Sequence, residues 1–200
     1  MRFAPTSFRP VFGRVLSVVI AIVGALGLGG FVVTGDWSGL ARYAWPLVLL
    51  VVLAFAAFWF PRVDVAEHEI TVVNVFSTQH VPWSAIERVD TKYALTLITP
   101  KGKVTAWASP APNRYSAQLG TKGDVRLAAR DGETAVRPGD LPSTMSGAVA
   151  LVIRSHWQDL RDDGKLELGF DPAAMRRDIH WPLLAVIGAL VVASVLGVVV

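Results

Sequence analysis

The sequence predicts an α+β fold: an antiparallel β-sandwich or barrel closed by one C-terminal helix, attached to three transmembrane α-helices. Three observations carry that expectation. Three long runs hold no charged residue, short alternating strands open the stretch between the second and third runs, and one amphipathic helix follows those strands. A helix placed after several strands must lay its apolar stripe over the sheet they form.

The uncharged runs are Val15 to Gly35 with 21 residues, Tyr43 to Pro61 with 19, and Ile179 to Val200 with 22. About 20 apolar residues at helical rise cross the hydrocarbon of a bilayer. Spans are therefore expected at roughly 14–33, 44–60 and 181–200. An insert of 117 residues could not bury three such helices inside a soluble protein. The first run is longer than the core of a signal peptide, about 7–15 residues, and a second span follows it directly. The chain thus divides into an N-terminal membrane region at 1–61, a soluble domain at 62–178 and a third span within 179–200.

Flanking charges set the expected orientation. Arg2, Arg9 and Arg14 precede the first span, Arg62 follows the second, and Arg176 with Arg177 precede the third. Three crossings put all six on one side, while the other side receives Asp36 and Arg42. Lys and Arg accumulate on the cytoplasmic side of short loops. The N terminus and residues 62–178 should face the cytoplasm of a cell membrane, with the C terminus outside. Trp45, Trp59 and Trp181 stand at span ends, where amphipathic rings favour the headgroup layer.

The same arithmetic excludes a nucleic-acid binder. The chain carries 19 basic and 16 acidic residues, yet residues 62–178 contain 15 of each. The excess of +3 belongs to the membrane region, so no basic domain exists to track phosphates. There is no cysteine, which removes disulfides, Fe–S clusters and thiolate zinc sites. No span holds an ionisable residue at its middle, as a transport path would require. Small residues do recur at four-residue spacing: Ser17, Ala21, Ala25 and Gly29 in the first span, Ala185, Ala189, Ala193 and Gly197 in the third. Such stripes let backbones approach closely. The first and third spans are expected to pack through them, within one chain or between copies.

In the soluble stretch, Val63 to Phe76 reads as two strands about a turn near Ala66–His68. A turn and strand follow at Ser77–Val81, then strands at Glu87–Lys92, Ala94–Thr99 and Lys103–Ala108. Pro100-Lys101-Gly102 is a compact turn signal. From 109 to 142, Pro, Gly, Ser, Asn and charged residues predominate, which predicts a long loop or partly disordered insertion. Ser143 or Thr144 can then cap a helix whose Met145, Val149, Val152, Ile153, Trp157 and Leu160 share one face, with Gly164 at its C′ position. Leu166 to Phe170 is compatible by composition with a further strand. Trp83 and Trp157 read as core anchors, since burying such a ring contributes a few kcal/mol, about 2–3.

The run from Glu69 to Ile86, the Ala94–Thr99 strand and the Pro-Lys-Gly turn resemble the membrane-anchored bacterial PH-like domains of the low-molecular-weight protein antigen 6 type. Trp83 and Ile86 match the Trp-x-x-Ile step that opens a strand in that family. The resemblance implies a PH fold whose terminal helix is 144–163, and a domain that binds lipids or proteins without performing chemistry. The family also places this domain after a pair of N-terminal spans; the 109–142 stretch and the third span depart from its minimal form.

The turn that would hold phosphoinositide in eukaryotic PH domains is here Ala66-Glu67-His68-Glu69, which is acidic. Arg88, Lys92, Lys101, Lys103 and Arg114 could instead meet anionic headgroups, although Glu87 and Asp90 interleave with them. Enzyme signatures are absent. His68, His80, His156 and His180 share no metal-ligand spacing, Gly120 to Gly123 is too short for a phosphate loop, and no Gly-x-Ser-x-Gly elbow occurs. Asp159, Asp162 and Asp163 flank Arg161 as solvated charge. No catalytic residue, metal ligand or cofactor is assigned. The expected function is a non-catalytic protein-interaction or scaffold module, with a membrane-linked sensor of anionic lipid as the alternative. The expected partners are the lipid bilayer, a protein of unknown identity and further copies of the chain through its transmembrane helices, with no nucleic acid.

Overall fold

The computed structural model describes residues 5–111, 140–141, 144–164, 166 and 174–199. The chain divides into two units, Met1–Arg9 with Pro61–Asp178, and Pro10–Phe60 with Ile179–Val200. The first unit is a mixture of antiparallel sheet and helix. Strands β1 (Thr6–Phe8), β2 (Arg62–Val65), β3 (Glu69–Val73), β4 (Ser77–Pro82) and β8 (Arg176–Ile179) form a five-stranded sheet in that spatial order. Strands β5 (Arg88–Asp90), β6 (Ala94–Thr99) and β7 (Gly102–Pro110) form a separate three-stranded sheet. The expected choice between sandwich and barrel thus resolves to two sheets, and the described strands make no closed barrel.

Alternation builds the core. Val63 and Val65, Ile70 and Val72, Leu95 and Leu97, and Val104 and Ala106 point inward, while Asp64, Thr71, Thr96 and Thr105 between them are more exposed. This is the two-residue period that sheet geometry demands of a half-buried strand. One side chain bridges the sheets. Asn74, just after β3, donates from Nδ2 to the Thr105 carbonyl and accepts at Oδ1 from the Trp107 N–H, each at 2.8 Å. A side-chain amide carries the same donor and acceptor as a peptide unit, so it satisfies two β7 backbone groups where no strand runs beside them.

Residues 6–8 were expected to belong to the membrane region. The structure instead pairs them with β2, Phe8 opposite Val63 and Ser7 opposite Asp64, with Ser7 Oγ donating to the Asp64 carboxylate at 2.5 Å. Three residues are too few to show alternation, so this strand leaves no local signal.

Helix α3 (Met145–Asp162) begins where the sequence placed its cap: the Gly147 N–H donates to Thr144 Oγ1 at 3.1 Å. Val149, Ala150 and Ile153 are fully buried, and Met145, Val152, Trp157 and Leu160 pack against the same core. Gly164 follows at φ 65°, in the left-handed region expected of a C′ residue. Asp140 is fixed just before the helix: it accepts from Thr91 Oγ1 at 2.5 Å and from Arg154 at 3.1 Å, and Arg154 also donates to the Val89 carbonyl. Most of the 109–142 stretch, and the strand expected after Leu166, lie outside the described residues; β7 itself continues to Pro110.

The second unit contains α1 (Val11–Thr34), α2 (Trp37–Phe58) and α4 (Trp181–Val199), each long and apolar enough to cross a membrane. Helix α2 starts well before residue 44, because Asp36 caps it rather than because apolar sequence begins there. Asp36 accepts from the Gly39 N–H and from Ser38 Oγ, both at 2.8 Å. Those bonds, the Gly39 one foremost, hold its carboxyl below the ordinary aspartate value. Gly35 at φ 70° supplies the reversal between α1 and α2.

Within the chain, α2 packs against both α1 and α4. Among the described residues the first and third spans share no contact as extensive as those two. Gly13, Ser17 and Gly24 are the buried residues of α1. A Cβ at Gly24 would come within 2.8 Å of Val51 Cγ2. Of the expected stripes, Ala21 is half-buried, Ala25, Gly29, Ala185 and Ala189 are exposed, and Ala193 and Gly197 are half-buried. Gly197 does abut α2, where a Cβ would lie 3.3 Å from the Ala41 carbonyl oxygen. A strict four-residue stripe drifts around a helix of 3.6 residues per turn, which is why only parts of each stripe reach the neighbour.

Candidate functional site

The β2–β3 turn and the turn after β4 shape a cavity of about 290 Å³, lined by Glu67, His68, Pro82, Trp83, Ser84, Leu160 and Leu166. Sequence dictates its geometry locally. Pro82 ends β4 in extended conformation, and Trp83–Ala85 form one turn of 3-10 helix that closes with the Ile86 N–H on the Trp83 carbonyl. Trp83 and Ile86 are each only 4% exposed. The Trp83 indole N–H donates to the Ala66 carbonyl at 3.1 Å, pinning the β2–β3 turn to the start of this helix. Both residues therefore organise the wall of the cavity from beneath it.

The His156 ring stands edge-on to Trp83 at 4.8 Å between centroids. Trp157 is half-buried against the core, and Arg161 approaches its ring at 6.0 Å. Helical spacing put positions 156 and 157 on adjacent faces, and only the docking of α3 decided which faced Trp83.

A second polar group spans three strands. His80 Nδ1 lies 2.7 Å from Glu69 Oε1, and its Nε2 lies 3.5 Å from Asp178 Oδ2. Thr71 Oγ1 donates to Glu69 Oε1 at 3.3 Å. Sequence spacing hid this arrangement, because its members come from β3, β4 and β8. Among the described residues, no group of three or more His, Asp or Glu side chains is placed to hold a metal ion.

The basic residues do not converge on one point. Register sets Arg88 opposite Ile98 and Ile98 opposite Lys103, so two cations flank Ile98 in a row across the three-stranded sheet. Lys101 occupies the β6–β7 turn, with its Nζ 3.5 Å from the Met175 carbonyl oxygen. Lys92 sits in the β5–β6 turn, its ammonium 5.1 Å from the centre of the Tyr93 ring. Arg114 lies outside the described residues.

Residues 60–155 match the family model described as Bacterial PH domain. The chain carries a bacterial PH-like domain, in one polypeptide with three apolar helices that suit membrane association. No curated protein and no solved structure matches the chain. The matched segment ends within α3, and the two edge strands β1 and β8 fall outside it.

Proposed function

We propose that this is a multi-pass membrane protein that presents its PH-like domain to the cytoplasm as a non-catalytic protein-interaction or scaffold module. One observation carries the reading: the cavity joins the carboxylate of Glu67 and the imidazole of His68 to the apolar surfaces of Pro82, Trp83, Leu160 and Leu166. A carboxylate at this turn repels phosphate and attracts a cation, and an aromatic and aliphatic floor suits a side chain of a partner protein. The six arginines that flank the spans support the cytoplasmic placement. Ala25, Gly29, Ala185 and Ala189 are exposed on α1 and α4, which supports self-association between copies through those helices.

The test uses the full-length chain, because β1 lies outside any fragment starting at residue 62. A photo-crosslinking amino acid placed at Ser84 in cells should form a discrete protein adduct that Glu67→Lys abolishes. Adducts to lipid alone would overturn the reading. The second reading, a sensor of anionic lipid, rests on the Arg88–Ile98–Lys103 row. It predicts that a fluorophore at Lys103→Cys is quenched by headgroup-labelled anionic lipid, and that salt removes the effect.

A further inference from the structure

Two large aromatic side chains of the PH-like domain are exposed near one another in the fold. Phe76 is 51% exposed in the turn between β3 and β4, and Trp107 is 60% exposed on the outward face of β7. Asn74 brings them together, since the residue two positions before Phe76 is bonded to the Trp107 N–H. Exposed aromatics of this size, grouped where Asn74 links the two sheets while Val72, Val104 and Ala106 nearby are buried, mark a contact surface.

Strand register shows which edge of the sheet this is. Phe8 pairs with Val63 and Arg62 pairs with Val73, so the end of β1, the beginning of β2 and the β3–β4 turn lie together. The chain enters or leaves apolar helices at this edge. Two residues separate Phe8 from Val11, and three separate Phe58 from Arg62. An extended residue spans at most about 3.6 Å, so the stretch of chain that joins Arg62 to Phe58 is at most about 15 Å long. Arg9 and Arg62 border these junctions, beside Trp59 and Phe60, and Arg176, Arg177 and Trp181 border the third one, between β8 and α4. Aromatic rings and basic side chains are the residue types that anchor protein at the headgroup layer.

We propose that the β3–β4 turn and the adjoining part of β7 form a bilayer-contact surface, with Phe76 and Trp107 seated in the headgroup layer of the membrane that holds the three helices. The surface does not involve the cavity at Glu67; on β7 it adjoins the outward face that carries Lys103. It would restrain the domain against the bilayer whether or not the cavity takes a partner.

The absence of cysteine from the chain makes the experiment direct. Phe76→Cys, Trp107→Cys and, as a control on the exposed side of α3, Ser155→Cys are each labelled with an environment-sensitive fluorophore. The full-length chain is placed in lipid nanodiscs that contain nitroxide-headgroup phosphatidylcholine. Labels at 76 and 107 should be quenched by the nitroxide lipid at least two-fold more than the label at 155, and shielded from aqueous iodide. Thr105→Cys, which keeps both aromatic rings, should show the same trend at smaller amplitude. Iodide quenching at 76, 105 and 107 equal to that at 155, without nitroxide quenching, would overturn the proposal. Shielding that grows with the number of chains per disc, again without nitroxide quenching, would assign the surface to a second copy and would equally overturn it.

Discussion

The two units of this chain bury opposite kinds of residue. In the PH-like unit the fully buried side chains include bulky ones, among them Ile70, Leu95, Leu97 and Ile153. In the helical unit the buried positions are Gly13, Ser17, Gly24, Ala54 and Ala56, while Leu26 is 70% exposed. Water explains the first pattern, because each bulky side chain removed from it contributes about 1.5–3 kcal/mol. A bilayer explains the second. Lipid tails are as apolar as leucine, so burying leucine there yields little, and close backbone packing through small residues takes over. Residue size at a buried position therefore differs between the units in the direction that membrane association of the apolar helices implies.

The largest expected effect lies in the PH-like unit. Asp140→Ala removes a buried carboxylate that accepts from both Thr91 and Arg154. Breaking a buried pair by removing one partner costs about 3–5 kcal/mol. Hydrogen exchange on the full-length chain should show lost protection across β5 and α3, with α1 and α2 unchanged. Equal loss in all helices would mean that the two units unfold together.

The helical unit should answer to size rather than to apolarity. Gly24→Leu drives a side chain into Val51, at an expected cost of about 1–3 kcal/mol for overpacking. Ala25→Leu, one residue on and exposed, should change stability by less than about 0.5 kcal/mol. Steric-trap or denaturant titration in detergent micelles would measure both. Similar values for the two variants would contradict the α1–α2 packing described above.

The smallest effect belongs to Asp36. Its folded pKa lies below the reference of 3.8, so its contribution to the α2 cap is complete above that value and declines as pH falls through the lower, folded one. Exchange protection of the Gly39 amide should stay level from neutral pH down to the reference value and drop only below it. Asp36→Asn keeps the acceptor and should flatten the profile. A decline already present near pH 6 would assign the dependence to another group.

Much of the architecture was legible because it is local. Uncharged runs announced the spans, alternation announced Ala94–Thr99 without error in either boundary, and Thr144 with Gly164 bracketed α3. The candidate site was half legible. The acidic Ala66–Glu69 turn and the Trp83–Ile86 step stood in the sequence, but the cavity they share with Leu160 and Leu166 required α3 to dock beside them. The contact of His156 with Trp83 was hidden in the sequence for the same reason.

Sequence by itself determined which segments leave water, which alternate and where α3 starts, since hydropathy period and capping chemistry act over a few residues. Tertiary structure alone decided that Thr6–Phe8 joins β2, that Asn74 bridges to β7, that Asp140 meets Arg154, and that α2 packs against both α1 and α4. Each of those contacts satisfies a polar group or a backbone surface with a partner distant in the chain. No local period records such a partner, because the need it meets arises only once the chain has folded.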